Sequence, residues 1–91
     1  MTAAKTAEAG SLESSDCLVI ITEADEYALD YSGANASLFR RRTEAAVARA
    51  LSAYGNPVCA VVIKDQGALE PTLTARLETA LERAGYGRLG S

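Results

Sequence analysis

The chain has no histidine, and that absence excludes more chemistry than any residue present suggests. Without an imidazole there is no Ser–His or Cys–His nucleophilic pair, and the commonest general acid–base group is missing. The two cysteines, Cys17 and Cys59, cannot fill a four-ligand zinc site without histidine companions. Each lies inside a short apolar run, where a reduced thiol packs as a small hydrophobe. Aromatic residues are scarce, four tyrosines and one phenylalanine, so the core must be small and built from Leu, Val, Ile and Ala. The longest apolar runs, Cys17–Ile21 and Val58–Ile63, are strand-sized and far short of a membrane span. Met1-Thr-Ala-Ala-Lys5 lacks the apolar segment of a signal peptide, so a cytoplasmic location is the expectation. A net charge of −3 argues against nucleic acid, whose phosphates are held by an excess of Lys and Arg. A self-sufficient enzyme is not expected, and no catalytic or metal-ligating residue is assigned.

What is present suits one ordinary globular domain: 91 residues, 48% hydrophobic and 23% charged. Residues 1–10 are small and polar without periodicity and read as a flexible leader, leaving residues 11–91 as the single folded domain. Cys17–Thr22 is short and β-branched, hence a strand. Glu23–Glu26 reads as a turn, with none of the spacing of a calcium loop. Tyr27, Leu29 and Tyr31 alternate, so these two runs are expected to pair as an antiparallel hairpin.

Beyond the break at Ser32–Asn35, with Asn35 as the N-cap, Phe39, Thr43, Ala46, Val47, Ala50, Leu51 and Tyr54 recur at helical steps. Gly55 and Pro57 end that helix. Val58–Ile63 is a third strand, apolar on both faces. Lys64–Gly67 turns the chain into a second helix, with Leu69, Leu73, Leu77, Ala80, Leu81 and Ala84 on one stripe and Pro71 in its first turn. The expected fold is α+β in the order β-β-α-β-α, a small mixed sheet with two helices on one face. The other sheet face is then left partly apolar, as at a subunit contact.

Ala9-Gly-Ser-Leu-Glu-Ser-Ser-Asp16 resembles the N-terminal motif of the citrate lyase acyl carrier protein (gamma subunit) family, which typically reads Ala-Gly-Thr-Leu-Glu-Ser-Gly-Asp. Six of the eight residues match. Similarity continues through Phe39–Tyr54, Gly67–Glu70 and Ala75–Glu78, so that it covers most of the chain from Ala9 to Ala84. The resemblance implies that Ser14 is joined by a phosphodiester to a phosphoribosyl-dephospho-CoA group, a phosphopantetheine-like arm whose thiol carries acetyl and citryl thioesters. It implies as partners an alpha subunit (acyl transferase), a beta subunit (acyl lyase) and a prosthetic-group transferase, with neither nucleic acid nor membrane. The carrier itself would be non-catalytic. Ser15 departs from the family's glycine, which puts a second hydroxyl beside the first, and Ser11 is a weaker candidate.

Carriers of malonate decarboxylase or citramalate lyase are alternatives within the same class. An assembly or docking subunit without a prosthetic group is an alternative of another class. Arg40-Arg41-Arg42 lies in the first turns of the first helix, where the macrodipole disfavours cations. The bland reading is a solvated face. The sharper one is that one or two of these arginines steady the arm's diphosphate or meet an acidic partner.

Overall fold

A computed structural model describes residues 5–90. The element order is β1 (Thr6–Gly10), β2 (Cys17–Glu23), β3 (Ala28–Gly33), α1 (Ala36–Ala53), β4 (Cys59–Asp65) and α2 (Glu70–Arg83). The four strands form one mixed sheet in the order β1-β2-β4-β3. β1 and β2 are antiparallel, β2 and β4 are antiparallel, and β3 runs parallel to β4 through the α1 crossover.

Period-two alternation decides what the sheet buries. Cys17, Val19 and Ile21 of β2 and Cys59, Val61 and Ile63 of β4 are all fully buried. They meet Ala46, Val47, Ala50 and Leu51 of α1 and Leu73, Leu77, Ala80 and Leu81 of α2 in one core. Both helices therefore cover the same face, as the sequence indicates. On the opposite face Leu18, Ile20, Ala60 and Val62 are only half-buried, and the register places Glu8 and Asp30 at either end of the Ile20–Val62 row. Among the described residues no helix is long and apolar enough to cross a membrane.

Three expectations are corrected. Residues 6–10, read as part of a flexible leader, form β1; the first four residues of that leader lie outside the described residues. Thr6-Ala-Glu-Ala-Gly10 has almost no β-branched content, yet Ala7 and Ala9 alternate inward and need only cover the edge of β2. The hairpin expected between β2 and β3 does not form. The two strands run antiparallel, but β4 lies between them because its two apolar faces suit the sheet centre, and β1 takes the other edge of β2. Leu69 is not on the core stripe: it is the N-cap of α2 and stands in solvent.

Other local readings hold with a different mechanism. Asn35 is the N-cap of α1, but in the left-handed region (φ 63°) and with no side-chain cap. Its carbonyl accepts the N–H groups of Leu38 and Phe39. Pro71 sits in the first turn of α2, where a missing N–H costs nothing. Cys17 and Cys59 are free and buried, and burial pushes the Cys17 thiol up to about 11.

Gly10 ends β1 at φ 91°, and a Cβ there would lie 1.9 Å from the carbonyl oxygen of Cys17. Gly67, at φ 94°, has nothing within 4 Å of that position. Gly10→Ala is expected to cost more than about 2 kcal/mol and Gly67→Ala only about 1 kcal/mol, since the second adds left-handed strain without a clash. Urea unfolding of the two variants checks the difference.

Candidate functional site

The loop from Ser11 to Asp16 joins β1 to β2 and is held at its base by one side chain. The Asp16 carboxylate accepts hydrogen bonds from the Ser11 hydroxyl (2.8 Å), the Cys17 amide (2.7 Å) and, in a two-pronged contact, Arg76 Nε (3.0 Å) and Nη2 (3.2 Å). Arg76 comes from α2, so the loop is tied to a helix sixty residues further along the chain. Main-chain bonds add a second clamp: Ser15 N–H donates to the Gln66 carbonyl (2.8 Å) and Gln66 N–H to the Asp16 carbonyl (2.9 Å). Asp16 N–H closes the turn onto the Glu13 carbonyl.

Above this base Leu12, Glu13, Ser14 and Ser15 are exposed. The Ser14 hydroxyl makes no hydrogen bond among the described residues, which leaves both its proton and its lone pairs to an incoming reagent. The three candidate serines differ in bonding and in backbone. Ser11 spends its hydroxyl on Asp16. Ser15 is held in the left-handed region at φ 69°, a conformation that favours glycine. That geometry accounts for the glycine of the resembling motif at this position, and its backbone clamp fixes the turn. Ser14 and Ser15 are both exposed at the loop's tip and neither hydroxyl is bonded among the described residues, so it is the position of Ser14 in the motif that sets it apart from Ser15.

Two helix N-termini lie at this end of the sheet, and Glu70 in the first turn of α2 offsets the partial charge of one of them. Gly33 of β3 and Cys17 of β2 both pair with Asp65 of β4. The β1–β2 loop, the start of α1 and the start of α2 therefore emerge from the same end of the sheet, and both helix N-termini carry partial positive charge. α1 has no acidic residue in its first turn. Of its arginines, Arg40 lies 3.8 Å from Glu44 and packs over the Tyr31 ring, and Arg41 is exposed. Arg42 turns inward, stacks on Phe39, reaches the Ala68 carbonyl (3.5 Å) and lies 3.6 Å from Asp65.

Asp65, buried and missed by sequence reasoning, organises that inner side. It accepts the amides of Gly67 and Ala68 and the Tyr31 hydroxyl. Burial, together with Asp65, raises the Tyr31 hydroxyl above its usual range, so it stays protonated as a donor. The signal available in the sequence was an acid closing an apolar strand two residues before Gly67, the pattern of a side chain that bonds its own turn. Among the described residues no cluster of acids or thiols could hold a metal ion, including Glu23, Asp25 and Glu26.

Fold and loop together define a small α+β domain that holds the exposed Ser14–Ser15 pair out on a braced hairpin. A model of the family described as malonate decarboxylase delta subunit (MdcD), an acyl carrier protein family, matches residues 4–84. The chain is 38% identical over 80 residues to the citrate lyase acyl carrier protein of Haemophilus influenzae (strain PittEE), covering 88% of this chain and 84% of that one. It is 36% identical over 75 residues to the protein of the same name from Treponema denticola, covering 82% and 86%. The chain belongs to this acyl carrier protein family. A crystal structure from Thermus thermophilus shares the fold alone, with a TM-score of 0.63 at 8% identity over 92% of this chain and 16% of that much longer one.

Arg76 and its hydrogen-bonded neighbours hold the Asp16 carboxyl at about 2, below its ordinary 3.8. A depressed folded value means that the contribution to stability is complete above about 4 and is lost as pH falls through about 2. Asp16→Asn is therefore expected to be less stable than the parent at pH 7, with the gap closing between pH 4 and pH 2. Chemical denaturation across that range checks it.

Proposed function

We propose that the chain is the acyl carrier subunit of citrate lyase and that Ser14 is where its phosphoribosyl-dephospho-CoA group is attached. The observation that carries this reading is the exposed, unbonded Ser14 hydroxyl on a braced loop, in a chain whose relatives are named citrate lyase acyl carrier protein. The residues present suit the group. An anionic phosphodiester on Ser14 would lie at the end of the sheet where the N-terminus of α1, with no acid in its first turn, and the exposed Arg41 are also found.

Attachment asks little of this chain. Ser14 would hold the group through a phosphodiester at its Oγ, and the base that takes the hydroxyl proton would be supplied by the modifying enzyme. The missing histidine is no obstacle, because that base belongs to the partner. When bound, the group supplies a thiol that carries acyl chains as thioesters. The chain's own part is to fix the anchor: Asp16 and Arg76 hold the loop, and Gln66 keeps Ser15 in the turn that lifts Ser14 into solvent. The partners would be the alpha and beta subunits and the prosthetic-group transferase, in the cytoplasm. A carrier for malonate decarboxylase is the second reading, favoured by the description of the matching family.

Protein purified from its native host is expected to show, by intact mass, an addition the size of phosphoribosyl-dephospho-CoA that is lost in Ser14→Ala. An addition that survives Ser14→Ala would show that the anchor lies elsewhere. Identifying the subunits that co-purify separates the lyase from the decarboxylase.

A further inference from the structure

The sheet face turned away from both helices has no layer over it among the described residues. Strand register lays that face out as a grid. Its central row reads Glu8, Ile20, Val62, Asp30, from β1 across to β3. The row toward the Ser14 end carries Leu18 beside Lys64, and the row on the other side carries Thr22 beside Ala60. Leu18, Ile20, Val62 and Ala60 are half-buried neighbours in this register and so form one patch, while Glu8, Asp30 and Lys64 around it are exposed. None of those three charges enters an ion pair among the described residues. With strands about 4.8 Å apart and alternate residues about 6.7 Å apart, Lys64 and Glu8 stand roughly 12 Å from one another, too far to meet within one chain.

We propose that this face pairs with the same face of a second copy of the chain, about a two-fold axis that passes between Leu18 and Ile20. The grid itself selects that axis. In a two-fold contact each position lies over its own reflection across the axis on the facing sheet. An axis bisecting the Lys64–Glu8 diagonal falls between Leu18 and Ile20, and it sets Lys64 of each copy on Glu8 of the other. The same operation lays Asp30 over Thr22, whose hydroxyl accepts from Thr6 and so keeps its own proton to donate. Val62 falls against Ile20 and Val62 of the facing copy. The strands of the two sheets then cross at roughly 70°, near the orthogonal class of sheet packing. Other two-fold axes fit worse. One along the strands through the sheet centre sets Glu8 against Asp30, and one along the central row sets each acid on itself. The face is therefore complementary to itself in charge as well as in its apolar centre. The inference does not depend on Ser14.

The test is sedimentation equilibrium of the full unmodified chain from about 10 μM to 1 mM, the range in which small interfaces associate. A monomer–dimer equilibrium is expected, and Ile20→Lys is expected to abolish it. Lys64→Glu and Glu8→Lys each act twice in a two-fold contact, and each should raise the dissociation constant by roughly tenfold or more. The double variant exchanges the two charges and should return the constant to within about threefold of the parent's. Both side chains are exposed, so the melting temperature should stay close to the parent's, and rescue in the double variant excludes misfolding as the cause of the single losses. A chain that stays monomeric throughout this range would overturn the proposal. A dimer that the single charge variants leave unchanged, or that the double variant fails to restore, would overturn it as well. Loss of co-purifying proteins in Ile20→Lys, from a parent chain that is monomeric alone, would overturn it by giving the face to another partner.

Discussion

The exposure of the Leu12–Ser15 tip depends on the carboxylate of Asp16 beneath it. A loop this polar and this open has little burial of its own to offset the entropy of being held in one shape. Asp16 supplies the missing order by gathering a serine hydroxyl, a main-chain amide and a two-pronged arginine onto two oxygens. Charge-assisted bonds with fixed geometry are the strong members of their class. The constraint reaches the core through Arg76, since Leu73 and Leu77 on the same helix are fully buried. What looks like a surface loop is therefore a braced extension of the packed interior.

Asp65 plays the complementary part on the other side of the clamp. It ends the central strand, shapes the β4–α2 turn through the amides of Gly67 and Ala68, and takes the Tyr31 hydroxyl from the neighbouring strand. That turn contains Gln66, whose carbonyl and amide grip Ser15 and Asp16. A buried carboxylate is tolerated only where its lone pairs are used, and here their use builds the surface on which the loop rests. Two acids far apart in sequence, one on each side of the Cys17–Asp65 pairing, thus fix a single end of the sheet.

Both helices, the two inner strands, their order and the core stripes were legible in the sequence, because periodicity and glycine placement are local signals. The motif around Ser14 was legible for the same reason. β1 was not: Ala7 and Ala9 carry an alternation too weak to stand out, and the strand exists because β2 offers it an edge. The placement of β4 between β2 and β3 was not legible either, since a short connection fits adjacent strands and strands one place apart. Leu69 illustrates the limit of periodicity, falling in step with Leu73 and Leu77 but at a helix end that points past the core. The Asp16–Arg76 bond spans sixty residues and leaves no mark on either local sequence.

The error about the leader changes the physical account of a carrier. A loose leader beside Ser14 would have let the anchor wander, adding its own slack to that of the arm. With β1 paired to β2 and the loop clamped to the β4–α2 turn, an arm attached at Ser14 would have a fixed anchor, and any swing would have to come from the arm alone. Fixing one end of a tether narrows the volume its other end explores, and so raises the effective concentration of whatever it carries at a site within reach. A loop already held in one shape would also spare any binding partner the cost of ordering it. Rigidity at the hydroxyl and freedom beyond it are thus compatible demands, and the bonds of Asp16 meet the first without limiting the second.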